Sequence, residues 1–153
     1  MASPSPRAAS LPALRVGVTL SAPWALAEDL CLDGIEVREA RRYSQWLGRE
    51  LQWRHVTAEE LPQALLGNQL DLAIGGLCAT PELRASARLA KFSAQRLGAQ
   101  QCPRGVGYRH VWAVSRGAWR DWAAAIAYLQ VFRHRPVRAA DAALPAGGRR
   151  GFA

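Results

Sequence analysis

EELPQALLGNQLDLAIGGL, residues 59–77, is the stretch whose reading decides the fold. Leu61, Ala64 and Leu65 share one side of a helix, and Gly67-Asn68 ends it. Leu70 to Ile74 is then a nearly continuous apolar run, the pattern of a parallel strand buried on both faces. Just upstream, Thr57-Ala58-Glu59-Glu60 has the spacing of a capping box. The Thr57 hydroxyl can take an amide of the first turn, and Glu60 can reach back. Pro62 is tolerable near that first turn, where fewer amides need partners. A helix that feeds directly into a buried strand is part of a β-α-β unit, so the flanking segments should supply the remainder.

They do so in order. LRVGVT at 14–19 alternates Leu14, Val16 and Val18 with Arg15, Gly17 and Thr19, which is the period of a strand. Residues 20–33 form a loop that contains Pro23 and Trp24. GIEVREARRYSQWLG at 34–48 places Val37, Ala40, Tyr43 and Leu47 on one helical face. Glu36, Arg38, Glu39, Arg41 and Arg42 fall mostly on the others, and Gly48 suits the helix end. LQWRHV at 51–56 reads as a second strand. The result is β-α-β-α-β with right-handed crossovers.

Downstream, the spacing predicts a short helix or turn over 80–90, a linker over 94–106 and a strand over 107–115. A last helix after Gly117 carries Trp119, Trp122, Ile126 and Leu129 on one stripe. Residues 14–19, 51–56, 70–74 and 108–114 are expected in one sheet, the first three parallel, with helices 35–47 and 118–131 against it. Residues 1–13 read as a disordered leader and 133–153 as a disordered tail, leaving a lobe at 14–132.

The 153 residues suit one domain, and half of them are hydrophobic while 21% are charged, as in ordinary globular proteins. No apolar run is long enough for a membrane span, and the N-terminus lacks the apolar core of a signal peptide. The net charge is +8. Arg84, Arg88, Lys91, Arg96, Arg104, Arg109, Arg116 and Arg120 follow one another with no acidic residue between them. Such a surface could attract an acidic partner, but arginine is abundant throughout, and a solvated face accounts for it. Cys31, Cys78 and Cys102 have long spacings and no C-x-x-C, which argues against zinc. Unlinked thiols are the first expectation, and one disulfide of undetermined pairing is the alternative. His55, His110 and His134 lack ligand spacing. Asp29, Asp33 and Asp71 have no readable partners, and no nucleophile–base constellation can be read. Neither an enzyme nor a cofactor is expected.

Three further segments carry a family resemblance. Gly34-Ile35-Glu36-Val37 opens a helix, ALLGNQLDLAIGGL occupies 64–77, and Thr80-Pro81-Glu82 begins TPELR at 80–84. In this order they resemble the first lobe of the bacterial extracellular solute-binding proteins of family 3, the receptors of ABC-type uptake systems. Arg38 and Glu39 depart from the family pattern, although the helical period survives. RHVWAVSRGAWRDWAAAIAYL, 109–129, is similar to the family's returning strand and last helix. The interval after Phe92-Ser93 is too short for a second lobe, so the chain is expected to be truncated relative to whole receptors. The resemblance implies an α/β fold: a single three-layer lobe with a mostly parallel sheet, a periplasmic-binding-protein-like type II half.

It also implies a ligand at the carboxyl ends of the strands and a ligand-binding set of Trp24, Gly76, Cys78, Thr80 and Arg84. Trp24 would pack on the ligand or cap the core. Gly76 and Cys78 would offer backbone, with Cys78 standing where a hydroxyl is usual. Thr80 would bind ligand, cap a helix, or do both. The family's carboxylate-binding Arg is replaced in register by Leu83, with Arg84 one residue late, about 100° around a helix. The implied function is transport-receptor binding of an amino acid or similar small polar solute. The implied location is periplasmic or extracellular, and the implied partner is a transporter permease. Two other readings remain: a cytoplasmic interaction module with a basic surface, and a degraded product without ligand. No specific nucleic acid is expected.

Overall fold

A computed structural model describes residues 11–29, 31–93, 102 and 110–134. Strand β1 (Leu14–Val18) lies near the middle of a five-stranded sheet. Later elements are β2 (Leu26–Glu28), β3 (Cys31–Asp33), α1 (Ile35–Leu47), β4 (Leu51–His55), α2 (Leu61–Leu66) and β5 (Leu72–Cys78). There follow α3 (Pro81–Ser86), β6 (Ala87–Ser93), β7 (His110–Ser115) and α4 (Trp119–Gln130). The sheet order is β4-β1-β5-β7-β6. β1 pairs in parallel with β4 on one side and with β5 on the other. β7 runs antiparallel to both β5 and β6, so it alone opposes the other four strands.

Alternation along the strands loads both faces of the sheet. Leu72, Ile74, Trp112 and Val114 join Val37, Tyr43, Tyr128 and Leu129 in a core under α1 and α4. Ala73, Val111 and Ala113 join Leu61, Leu65 and Leu83 in a second core under α2 and α3. The molecule therefore has three layers, helix on sheet on helix. The capping box forms: the Thr57 N–H donates to Glu60 Oε1 at 2.9 Å, and the Glu60 N–H donates to Thr57 Oγ1 at 3.2 Å.

Several expectations change. Residues 87–93 form a strand rather than the end of a helix, with Ala90 and Phe92 packed toward α4. The loop over 20–33 contains the hairpin β2–β3. Trp119 is exposed, and the buried stripe of α4 is Ala125, Tyr128 and Leu129. Cys78 and Cys102 form a disulfide, whereas Cys31 is free. Asp33 and Asp71 do have partners. Arg38 chelates Asp33, and Arg15 grips Asp71 through Nε at 3.1 Å and Nη2 at 2.9 Å. Arg49 adds contacts of 3.6 Å to Asp71 and 3.4 Å to Asp121, which ties β1, β5 and α4 together. Burial alone would raise the Asp71 pKa, but the Arg15 bonds outweigh it and hold the carboxyl below its usual range. Of the leader over 1–13 only 11–13 are described, and Arg49 donates to the Pro12 and Ala13 carbonyls. Of the tail over 133–153 only Arg133 and His134 are, in a 3-10 turn after α4. The remainder of both, and the linker over 94–106 apart from Cys102, lie outside the described residues.

Candidate ligand cleft

Three parallel strands end at the same edge of the sheet, at Val18, His55 and Cys78. Ligands of open α/β sheets lie outside such carboxyl ends. A cleft of about 670 Å³ opens there. Its walls come from the chain after β1, the turn after β4, the end of β5 and the start of α3.

Thr19 holds one wall. Its N–H donates to the Ile74 carbonyl at 3.0 Å and its hydroxyl donates to the Val56 carbonyl at 3.0 Å. The floor is Gly75-Gly76, with φ of +128° and +67°. A Cβ on Gly75 would lie 2.0 Å from the Thr19 carbonyl oxygen, and one on Gly76 would lie 2.4 Å from Trp24 Cδ1. Only glycine fits either place. The pairing of β5 with β7 shifts register between Ala73 and Leu77, so the chain bulges at the two glycines.

Glu36 lies under the floor and is fully buried. Its carboxylate accepts from the Gly75 N–H at 3.1 Å, the Gly76 N–H at 2.9 Å and Trp112 Nε1 at 3.2 Å. Burial pushes its pKa up to about 7, although each of these donors pulls the other way. Helical periodicity puts Glu36 beside the polar face, and its role escaped the sequence reading. The available signal was an acidic residue at a helix start beside an apolar stripe, with a Gly-Gly strand end elsewhere.

Gly76, Cys78 and Thr80 all line the cleft. The Thr80 hydroxyl accepts from the Leu83 N–H at 3.1 Å, which makes it the N-cap of α3. Trp24 reaches the same edge of the sheet but lies behind Gly76, buried, with its ring 4.0 Å from His110 and edge-on to it. It backs the floor rather than lining the cleft. Arg84 is exposed, its Nε donates to the Ala79 carbonyl at 3.2 Å, and it is not among the lining residues. Leu83, in the neighbouring register, is the side chain that reaches the cleft wall. Glu59 and Glu82 also line the cleft. Arg88 and Arg116 spend donors on backbone carbonyls near the β6 edge.

No family model matches the sequence, and no curated protein matches it in a sequence comparison. Solved structures do match the fold. A tryptophan-substituted form of arginine-bound domain 1 from TmArgBP aligns at TM-score 0.67 and 21% identity, over 80% of this chain and 92% of that one. An ancestral arginine-binding protein bound to arginine aligns at 0.62 and 12%, over 79% and 92%. An ancestral cyclohexadienyl dehydratase aligns at 0.50 and 22%, over 59% of this chain and 42% of that one. The fold is thus a single α/β lobe of the periplasmic-binding-protein type. It covers nearly the full length of both arginine-bound chains.

Proposed function

We propose that this lobe binds a small polar solute in the cleft at the carboxyl ends of β1, β4 and β5. In that reading it serves as a half-site of the kind found in family 3 transport receptors, with a transporter permease as downstream partner. The cleft itself carries the proposal: an open volume of about 670 Å³ with an apolar floor and a polar rim, at the edge where such sheets bind ligands. Gly76, Cys78 and Thr80 form the contact surface, Trp24 supports it from behind, and Arg84 stands outside it. The solved domains of similar fold that are bound to arginine support the reading.

Simple binding fits the cleft better than catalysis. Cys78 is held in a disulfide, and the Thr19 and Thr80 hydroxyls are engaged with backbone. The lining acids Glu59 and Glu82 make no hydrogen bond to a lining hydroxyl among the described residues. The disulfide also favours an oxidising compartment, hence a periplasmic or extracellular location. Ligand-detected NMR over a panel of amino acids, amines, sugars and carboxylates tests the proposal. At least one class should give saturation transfer that is abolished by Ser21→Trp, which fills the cleft. Transfer that survives this substitution, or none from any class, would refute it.

A further inference from the structure

The charged residues that line the cleft are Glu59 and Glu82, and among the described residues no lysine or arginine lines it. This is notable in a chain of net charge +8. Both glutamates are exposed at the rim, and neither carboxylate has a hydrogen bond or ion pair among the described residues. Three other acids are tied up: Asp33 by Arg38, Asp71 by Arg15, and Glu36 by the floor amides.

Several of the donors at the cleft are already committed. The amides of Gly75 and Gly76 point down at Glu36. The Thr80 N–H donates to the Cys78 carbonyl and the Leu83 N–H to Thr80 Oγ1. The Thr19 hydroxyl donates to Val56, and the Ser21 N–H to Ala25. A bound carboxylate needs a guanidinium, an ammonium or converging amides. Arg84, the basic residue nearest in sequence, is turned to the Ala79 carbonyl. Below the rim, Leu61, Leu77 and Leu83 supply an apolar wall that can take methylene groups.

We infer that the cleft selects organic cations that lack a carboxylate, namely amines and guanidines on an aliphatic stem, over amino acids bearing the same side chain. The inference rests on the proposed solute-binding reading and narrows its ligand. The stem lies along the leucines and the cationic head meets Glu59 and Glu82. The whole-molecule field opposes this choice, since a net positive protein repels a dication more than a zwitterion bearing one extra positive charge. A preference for the dication therefore reports the local carboxylates.

Agmatine and arginine differ by one carboxylate and form the test pair. NMR titration of the full chain at low salt should give agmatine a Kd about tenfold or more below that of arginine, the discrimination expected of a site that leaves a carboxylate unpaired beside two others. Both glutamates are exposed, so Glu59→Gln/Glu82→Gln should fold normally. In that variant the ratio should fall to about one or below, because the carboxylates that favour the dication are gone and the net positive field remains. Arginine binding as tightly as agmatine, or a ratio unchanged in the double variant, overturns the inference and leaves the solute-binding reading standing. Binding of neither at about 10 mM, a free energy weaker than about 3 kcal/mol, also overturns the inference, while the wider solute panel decides the solute-binding reading separately.

Discussion

Glu36 shows most plainly how one residue shapes the cleft. A carboxylate with no exposure survives because three N–H donors meet it, and two of these belong to the floor. Its folded pKa of about 7 lies above the ordinary 4.5, so between those values the folded chain holds a proton that the unfolded chain releases. The stability this contributes is present below about pH 4.5 and lost as pH rises through about 7, a fall of about 3 kcal/mol. His110 slopes the opposite way, because burial lowers its pKa and the unfolded chain protonates first as pH falls. The difference between wild type and Glu36→Gln therefore isolates the carboxyl. Urea denaturation at pH 5 and pH 8 should show Glu36→Gln destabilised more at the lower pH, with the gap closing by about 3 kcal/mol at the higher. A gap independent of pH would contradict this. Gly75→Ala makes a second test, since its Cβ would meet a backbone oxygen at 2.0 Å and a φ of +128°. It should cost at least about 3 kcal/mol in the same assay, and a loss under 1 kcal/mol would contradict the floor geometry. Glu36 was hard to read from sequence because its partners are backbone amides some forty positions away, exposed to it by a bulge that no local pattern announces.

At the level of elements, legibility followed locality. The capping box before α2, the stripe of α1 and the apolar run of β5 are local patterns; α1 and α2 formed where they indicate, while β5 (Leu72–Cys78) starts and ends later than the apolar run Leu70–Ile74. β6 was missed because it starts directly after α3 with no turn residue, and its alternation ARLAKFS is interrupted by Arg88 and Lys91 at a sheet edge. Charge there suits an edge strand, which must resist pairing with another chain. The Cys78–Cys102 pairing was not legible either, since Cys102 lies in a stretch without periodicity and a pairing depends on tertiary approach. The bridge closes a loop with a sequence separation of 24 and ties the cleft end of β5 to it. Reduction should lower stability by about 3 kcal/mol while leaving the sheet folded, to be read as a shifted urea midpoint with unchanged far-UV circular dichroism. An unchanged midpoint after complete reduction would contradict a structural role for the bridge.

For the whole molecule, the claim is that one three-layer lobe presents a solute half-site at the carboxyl edge of its sheet. Good small-molecule sites bury about 70–90% of the ligand surface, and an open cleft on one lobe covers far less. Contact worth about 4 kcal/mol is then missing, which weakens a micromolar site to about millimolar. The basic β6–β7 edge, by contrast, has Arg88 and Arg116 donors spent on carbonyls. The most direct measurement is a ¹⁵N-labelled titration of the monomeric chain with small polar solutes, following each amide. Saturable shifts should fall on Ser21, Gly75 to Cys78 and Thr80, with a Kd no tighter than about 100 µM. Shifts confined to the β6–β7 edge, or a low-micromolar Kd from the monomer, would contradict the account.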